Sequence, residues 1–154
     1  MLIGVISDTH GTLPDKVLDI FKPVELIIHA GDIGHPGIIH KLQSIAPVEA
    51  VYGNTDTYPL VSQFRSQVFF SVKGTCFNIV HNLGSHKRYL FELFKMDKKA
   101  DIVIHGHTHK PEDILFNNVR FINPGSPAMP RGSGQGSVVL LTLADEITVE
   151  FKYL

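Results

Sequence analysis

Tryptophan is absent from this sequence, and cysteine occurs once, at Cys76. A lone thiol forms no internal disulfide, so packing and hydrogen bonds must hold the fold, and a reducing, cytoplasmic setting is expected. Excess charge of either sign is also missing: 14 Lys and Arg face 15 Asp and Glu, a formal net charge of -1. That gives no overall case for binding nucleic acid or a membrane surface. No apolar run approaches the ~20 residues of a membrane helix. The start of the chain lacks the basic segment and apolar stretch of a secretory signal. No repeat, charge block or linker-like stretch interrupts it, which predicts one domain over residues 1–154. Histidine, by contrast, is plentiful at nine residues. Their positions decide what they are for.

The first third alternates strand and helix patterns. Leu2–Ser7, Glu25–Ala30 and Val48–Tyr52 read as buried strands, Leu13–Phe21 and Gly37–Ile45 as helices. Pro14 suits the opening of the first helix, where a missing N–H has no partner to lose. This alternation predicts parallel pairing through crossover helices. After about residue 65 the pattern changes. Gln67–Lys73 and Thr75–His81 flank Lys73-Gly74 as a hairpin, Ser85–Lys99 is helical, and Asp101–His105 is a buried strand. Asp113–Phe116 and Val119–Ile122 flank Asn117-Asn118, a pair suited to a tight turn with positive φ, and Ser137–Leu143 and Glu146–Tyr153 flank a polar corner. The expectation is two sheets packed face to face with helices outside.

The residues directly after each strand carry the chemistry. The strands end in Asp8-Thr9-His10, Gly31-Asp32, Gly53-Asn54-Thr55-Asp56, His81-Asn82 and His105-Gly106-His107-Thr108-His109. In open α/β sheets the carboxyl ends of strands share one edge beside the ligand crevice, so side chains ~100 residues apart converge there. Seven candidates (Asp8, His10, Asp32, Asn54, His81, His107 and His109) are too many for one tetrahedral ion and suit two ions sharing a carboxylate. Oxygen and imidazole donors without thiolate point to Mn, Fe, Ni or Zn, with Mn2+ preferred. The neutral amide of Asn54 keeps the cluster positive enough to attract phosphate.

In order, D-T-H, G-D, G-N-x-D, H and G-H-T-H resemble the calcineurin-like metallophosphoesterase superfamily. The I-S-D-T-H-G opening and the N-P-G-S-P at residues 123–127 are similar to its small bacterial and archaeal phosphodiesterases. The resemblance runs from Asp8 to about Arg131. It implies a four-layer αββα sandwich of two mixed sheets with helices outside. It also implies one ion on Asp8, His10, Asp32 and His109, and another on Asp32, Asn54, His81 and His107, with Asp32 bridging. The implied reaction is hydrolysis of a small phosphate ester by activated hydroxide. Retromer-type relatives use the same fold as a protein-binding scaffold, the competing expectation, but with altered ligand positions. Two departures stand out: Asn82 replaces the glycine usual after the family's fourth histidine, and Thr55 replaces a histidine that larger members carry after G-N. A hydroxyl at Thr55 is no acid near neutral pH, which predicts preference for activated diesters over alkyl monoesters.

Other residues read more plainly. Asn54, Lys110 and Arg131 are candidate contacts for the substrate phosphate. His29 and His105 are expected to be structural, His35, His40 and His86 to lie on the surface, with His86 able to overhang the crevice. Cys76 is expected to be a small buried hydrophobe. Asp56 and backbone carbonyls are expected to fix the imidazole tautomers. The apolar hairpins are also able to bury an interface with a second copy.

Overall fold

The computed structural model describes residues 1–131 and 134–154. The elements are β1 (Leu2–Ile6), α1 (Asp15–Phe21), β2 (Leu26–His29), α2 (Pro36–Gln43), β3 (Val48–Ala50), α3 (Leu60–Gln63) and β4 (Gln67–Val72). They continue as β5 (Thr75–Val80), α4 (His86–Lys95), β6 (Ile102–Ile104), β7 (Pro111–Phe116), β8 (Val119–Pro124), β9 (Ser137–Leu143) and β10 (Ile147–Tyr153).

Two five-stranded sheets form, ordered β10-β9-β1-β2-β3 and β4-β5-β6-β8-β7. The expected parallel β1–β2–β3 ladder is present, with crossovers through α1 and α2. Both sheets are mixed, because β9 joins β1 antiparallel while β8 pairs parallel with β6 and antiparallel with β7. Side-chain alternation explains the layering. Ile3 and Val5 of β1, Ile28 of β2 and Leu141 of β9 meet Phe77, Ile79, Ile104 and Ile122 of the second sheet in one buried cluster. The opposite face of the first sheet packs on Val17, Phe21, Ile39 and Leu42 of α1 and α2. Across the molecule, Tyr89 and Leu93 of α4 cover Val103 and Phe121. These contacts build the four expected layers, and each fully buried Ile, Leu or Phe contributes about 1.5–3 kcal/mol.

Element boundaries differ from expectation where local hydrogen bonding overrides periodicity. The helix expected from Leu13 starts at Asp15, because Pro14 holds extended backbone at its N-cap. The helix expected to reach Lys99 stops at Lys95. There Asp97 adopts φ 52, with Asp97 N–H on Phe94 O and Lys98 N–H on Leu93 O, the Schellman closure. Beyond Ala50, Val51 makes only an isolated bridge to Arg65. The turn α3 was not expected. Lys73-Gly74 and Asn117-Asn118 take positive φ, as their hairpins require. Cys76 is half-buried and accepts the Ser71 hydroxyl at 3.5 Å, a correction to the buried hydrophobe expected.

Candidate metal centre

The strand ends meet on one rim. Beyond β1, Asp8 N–H donates to Gly31 O and His10 N–H to Asp32 O, both at 2.9 Å. Among the described residues nine non-glycine residues have positive φ, and five of them are Asp8, His10, Asp32, His107 and His109. Such backbone costs about 1–3 kcal/mol per residue. Its concentration in expected ligands shows that the loops are bent to aim these side chains. Glycines make room: a Cβ on Gly31 would fall 2.8 Å from His81 Nδ1, and one on Gly106 2.6 Å from Asp8 Oδ2.

Five of the seven expected ligands converge. His109 Nε2 lies 3.2 Å from Asp8 Oδ1 and 3.2 Å from His10 Nε2. Asp32 Oδ2 lies 3.7 Å from His10 Nε2 and 3.3 Å from His81 Nε2, which is 3.9 Å from Asp8 Oδ1. The tautomers are set from behind. His81 Nδ1–H donates to Ala30 O at 2.8 Å, and His109 Nδ1–H to Met129 O at 2.6 Å. In each neutral ring Nε2 is then a lone pair aimed at other acceptors. Buried His81 Nε2 has no hydrogen-bond partner among the described residues. Acceptors that face one another across ~3–4 Å in a buried rim ask for a cation. Two groups offering metal ligands result, Asp8-His10-His109 and Asp8-Asp32-His81.

Burial raises the Asp8 carboxyl above the usual range despite neighbouring His81 and His109. Burial acts the same way on Asp32, but His81 and the Thr55 N–H, 2.9 Å from Oδ1, outweigh it and hold that carboxyl well below normal. Burial works against charge on His81, yet Asp32 and the Ala30 carbonyl outweigh it and raise the imidazole.

The remaining expected residues sort by position. Exposed Asn54 accepts at 2.9 Å from His107 Nδ1, so this pair stands together at the rim, the His107 ring edge-on to His81 at 5.3 Å. His107 belongs to the centre through its backbone too, donating N–H to both Asp8 carboxylate oxygens. Lys110, next to His109 in the chain, and Arg131, whose N–H donates to His109 O, are both exposed. His35 and His40 are exposed. His29 is fully buried: it accepts Gly31 N–H at Nδ1, lies 3.0 Å from Thr9 Oγ1, and burial pushes its imidazole down to about 3. Among the described residues Asp56 makes no hydrogen bond to an imidazole. It accepts the N–H groups of Ile33, Gly34 and Gly53 instead, clamping the loops that carry Asp32 and Asn54. Carbonyls alone fix the tautomers of His81 and His109. Ser126, missed in the sequence, donates to Asp8 O at 2.7 Å and accepts from Met129 N–H. The N-P-G-S-P run that contains it was the available signal.

Comparison with known proteins fits this geometry. Residues 1–146 match the model of the calcineurin-like phosphoesterase superfamily domain. A probable metallophosphoesterase of Methanothermobacter thermautotrophicus is 38% identical, covering 97% of this chain and 91% of its own. A phosphodiesterase of Methanocaldococcus jannaschii is 31% identical over 81% of this chain and 83% of its own. A solved structure described as a novel archaeal phosphodiesterase superposes with TM-score 0.81 at 27% identity, covering both chains completely. Zinc-bound Vps29 from Entamoeba histolytica superposes with TM-score 0.80 over 99% of both chains, at 21% identity a likeness of fold. By this match and these relatives the chain belongs to the calcineurin-like phosphoesterase superfamily.

Proposed function

We propose that this protein is a binuclear-metal phosphodiesterase acting on small phosphate esters. The supporting observation is the buried, unpartnered His81 Nε2 facing two carboxylates. In this reading Asp8, His10, Asp32 and His109 hold one ion, and Asp32, Asn54, His81 and His107 the other. Asp32 is suited to bridge, because its Oδ2 faces both His10 and His81 while Oδ1 is steadied by Thr55. Bound divalent ions, Mn2+ first, would supply Lewis acidity at phosphorus and hydroxide at neutral pH.

The chain's own residues do the rest. The Ala30 and Met129 carbonyls keep two imidazole lone pairs inward. Lys110 and Arg131, both exposed next to His109, would offer positive charge to phosphate oxygens, and Asn54 a neutral amide at the rim. Thr55 lends a backbone N–H and no acid, its Oγ1 3.5 Å from His10 Nδ1, so an acid for the leaving group has to come from elsewhere, and the phosphodiesterase relatives support diesters over monoesters.

The test compares bis-p-nitrophenyl phosphate with p-nitrophenyl phosphate under Mn2+, alongside metal analysis and His81→Ala. Diester turnover with two ions per chain, both lost in the variant, is expected. A strong monoester preference overturns the diester assignment. Two bound ions with no ester hydrolysed overturn the hydrolase reading in favour of a module that keeps its ions without turnover.

A further inference from the structure

A second cluster lies outside the ligand set. His86, at the start of α4, places Nε2 2.7 Å from Glu112 Oε1, and buried His105 places its Nε2 3.2 Å from the same oxygen. These three are spaced like a metal site, but the tautomer of His105 argues otherwise. Asn123 Oδ1 accepts Gly125 N–H at 2.9 Å, which fixes the amide. Its Nδ2 then faces Gly106 O at 2.9 Å, Thr108 Oγ1 at 3.0 Å and His105 Nδ1 at 3.4 Å. A nitrogen facing an N–H donor is the unprotonated one, so His105 carries its proton on Nε2 and donates it to Glu112. A metal on Nε2 would move that proton to Nδ1, against the hydrogens of Asn123.

Glu112 is thereby kept ionised: the His105 hydrogen bond is the largest influence and holds its carboxyl below the usual range. His86 is aimed by the same oxygen. Its ring stands edge-on to Phe121 at 4.7 Å, and its Nδ1 has no hydrogen-bond partner among the described residues. His86, His105 and Glu112 line a cavity of about 60 Å³ with Asn82, Gly106 and Thr108. Those last three are chain neighbours of the candidate ligands His81, His107 and His109, and Gly106 lies against Asp8. The space exceeds the ~10–15 Å³ a cavity needs to hold one water.

We infer that this cavity is a leaving-group subsite for alkyl, hydroxylated alcohols, in which His86, steered by Glu112, hands a proton to the departing oxygen. The inference rests on the phosphodiesterase reading. As hydroxide adds to phosphorus, the bond from phosphorus to the alkyl oxygen breaks and its electron pair stays on that oxygen. The oxygen takes the proton from His86 Nδ1 and leaves as the alcohol, and His86 regains a proton from water. Asn82 and Thr108 are placed to meet further hydroxyls of the alcohol. Glu112, His105 and Asn123 are positioning residues. The acid that Thr55 does not supply comes from another element.

The experiment compares bis-p-nitrophenyl phosphate, whose leaving group needs no proton, with a glyceryl phosphodiester, whose alkoxide does. His86→Ala is expected to lower kcat/KM for the glyceryl ester about 100-fold more than for the aryl ester, the low end of general-acid effects. Glu112→Gln should show the same selective loss more weakly, and metal content should stay at the wild-type value in both. In the Mn2+-free protein loaded with a diamagnetic ion, glycerol 3-phosphate should shift the His86 ring ¹⁵N resonances, and inorganic phosphate should not. Equal losses on both esters, a metal lost with His86→Ala, or unmoved resonances overturn the inference. So does a wild type that cleaves the aryl diester but no glyceryl ester. If neither ester is cleaved by metal-loaded protein, the phosphodiesterase reading itself fails.

Discussion

Two histidine clusters lie side by side in this molecule with similar composition and opposite wiring. Around Asp8 and Asp32, main-chain carbonyls take the Nδ1 protons, so Nε2 lone pairs of His81 and His109 face carboxylates. Around Glu112, the amide of Asn123 faces Nδ1 of His105, so the Nε2 proton fills the gap, and Nε2 of both His105 and His86 is paired with the carboxylate. His29 shows a third outcome, with both nitrogens occupied and the ring deeply buried. Residue identity is therefore a poor guide to metal binding. The partner of the far nitrogen is a better one.

The sharpest break of this contrast sets Asp32→Asn against Glu112→Gln. Asp32→Asn removes the charge that His10 and His81 share. It should strip at least one ion from the chain and lower diesterase kcat/KM by about 10³-fold or more. Glu112→Gln should leave the metal count at the wild-type value by elemental analysis. A metal lost from the Glu112 variant would erase the difference drawn between the clusters.

The next effect concerns the third setting. His29 titrates near 3 when folded and near 6.5 when unfolded. The unfolded chain thus binds the extra proton first, and stability falls as pH drops from about 6.5 toward 3, by up to about 4 kcal/mol. Chemical denaturation across that range should show the slope, and His29→Gln should flatten it. An unchanged profile in the variant would mean that other groups govern acid unfolding.

A smaller effect tests the wall between the clusters. A Cβ on Gly106 would lie 2.6 Å from Asp8 Oδ2, so Gly106→Ala should cost about 3 kcal/mol through overpacking. The melting temperature should drop, and metal affinity should fall with it. A wild-type melt and metal affinity together would show that this approach is looser than it looks.

Much of this was legible in the chain alone, for identifiable reasons. Apolar runs of four to six residues punctuated by Gly, Asp and His give strand ends directly, and positive-φ pairs such as Asn117-Asn118 give turns. Periodicity could not show where α4 stops, because the left-handed Asp97 and its two hydrogen bonds end the helix while apolar spacing runs on. Nor could it place Ser126 beneath Asp8 or Asp56 against the N–H groups of Ile33 and Gly34, since each of these contacts joins segments distant in the chain. His86 read as surface for the same reason. Its partner Glu112 is 26 residues away.

By itself, then, the sequence determined which chemical groups stand at the ends of which strands, because period-two burial and glycine punctuation are local properties of a chain. Only tertiary structure decided that β9 and β10 extend the first sheet while β7 and β8 complete the second. It also decided which imidazole nitrogens are left bare. Sheet partners and proton positions depend on groups brought together from afar, where hydrogen bonding and burial act on neighbours in space, not in order.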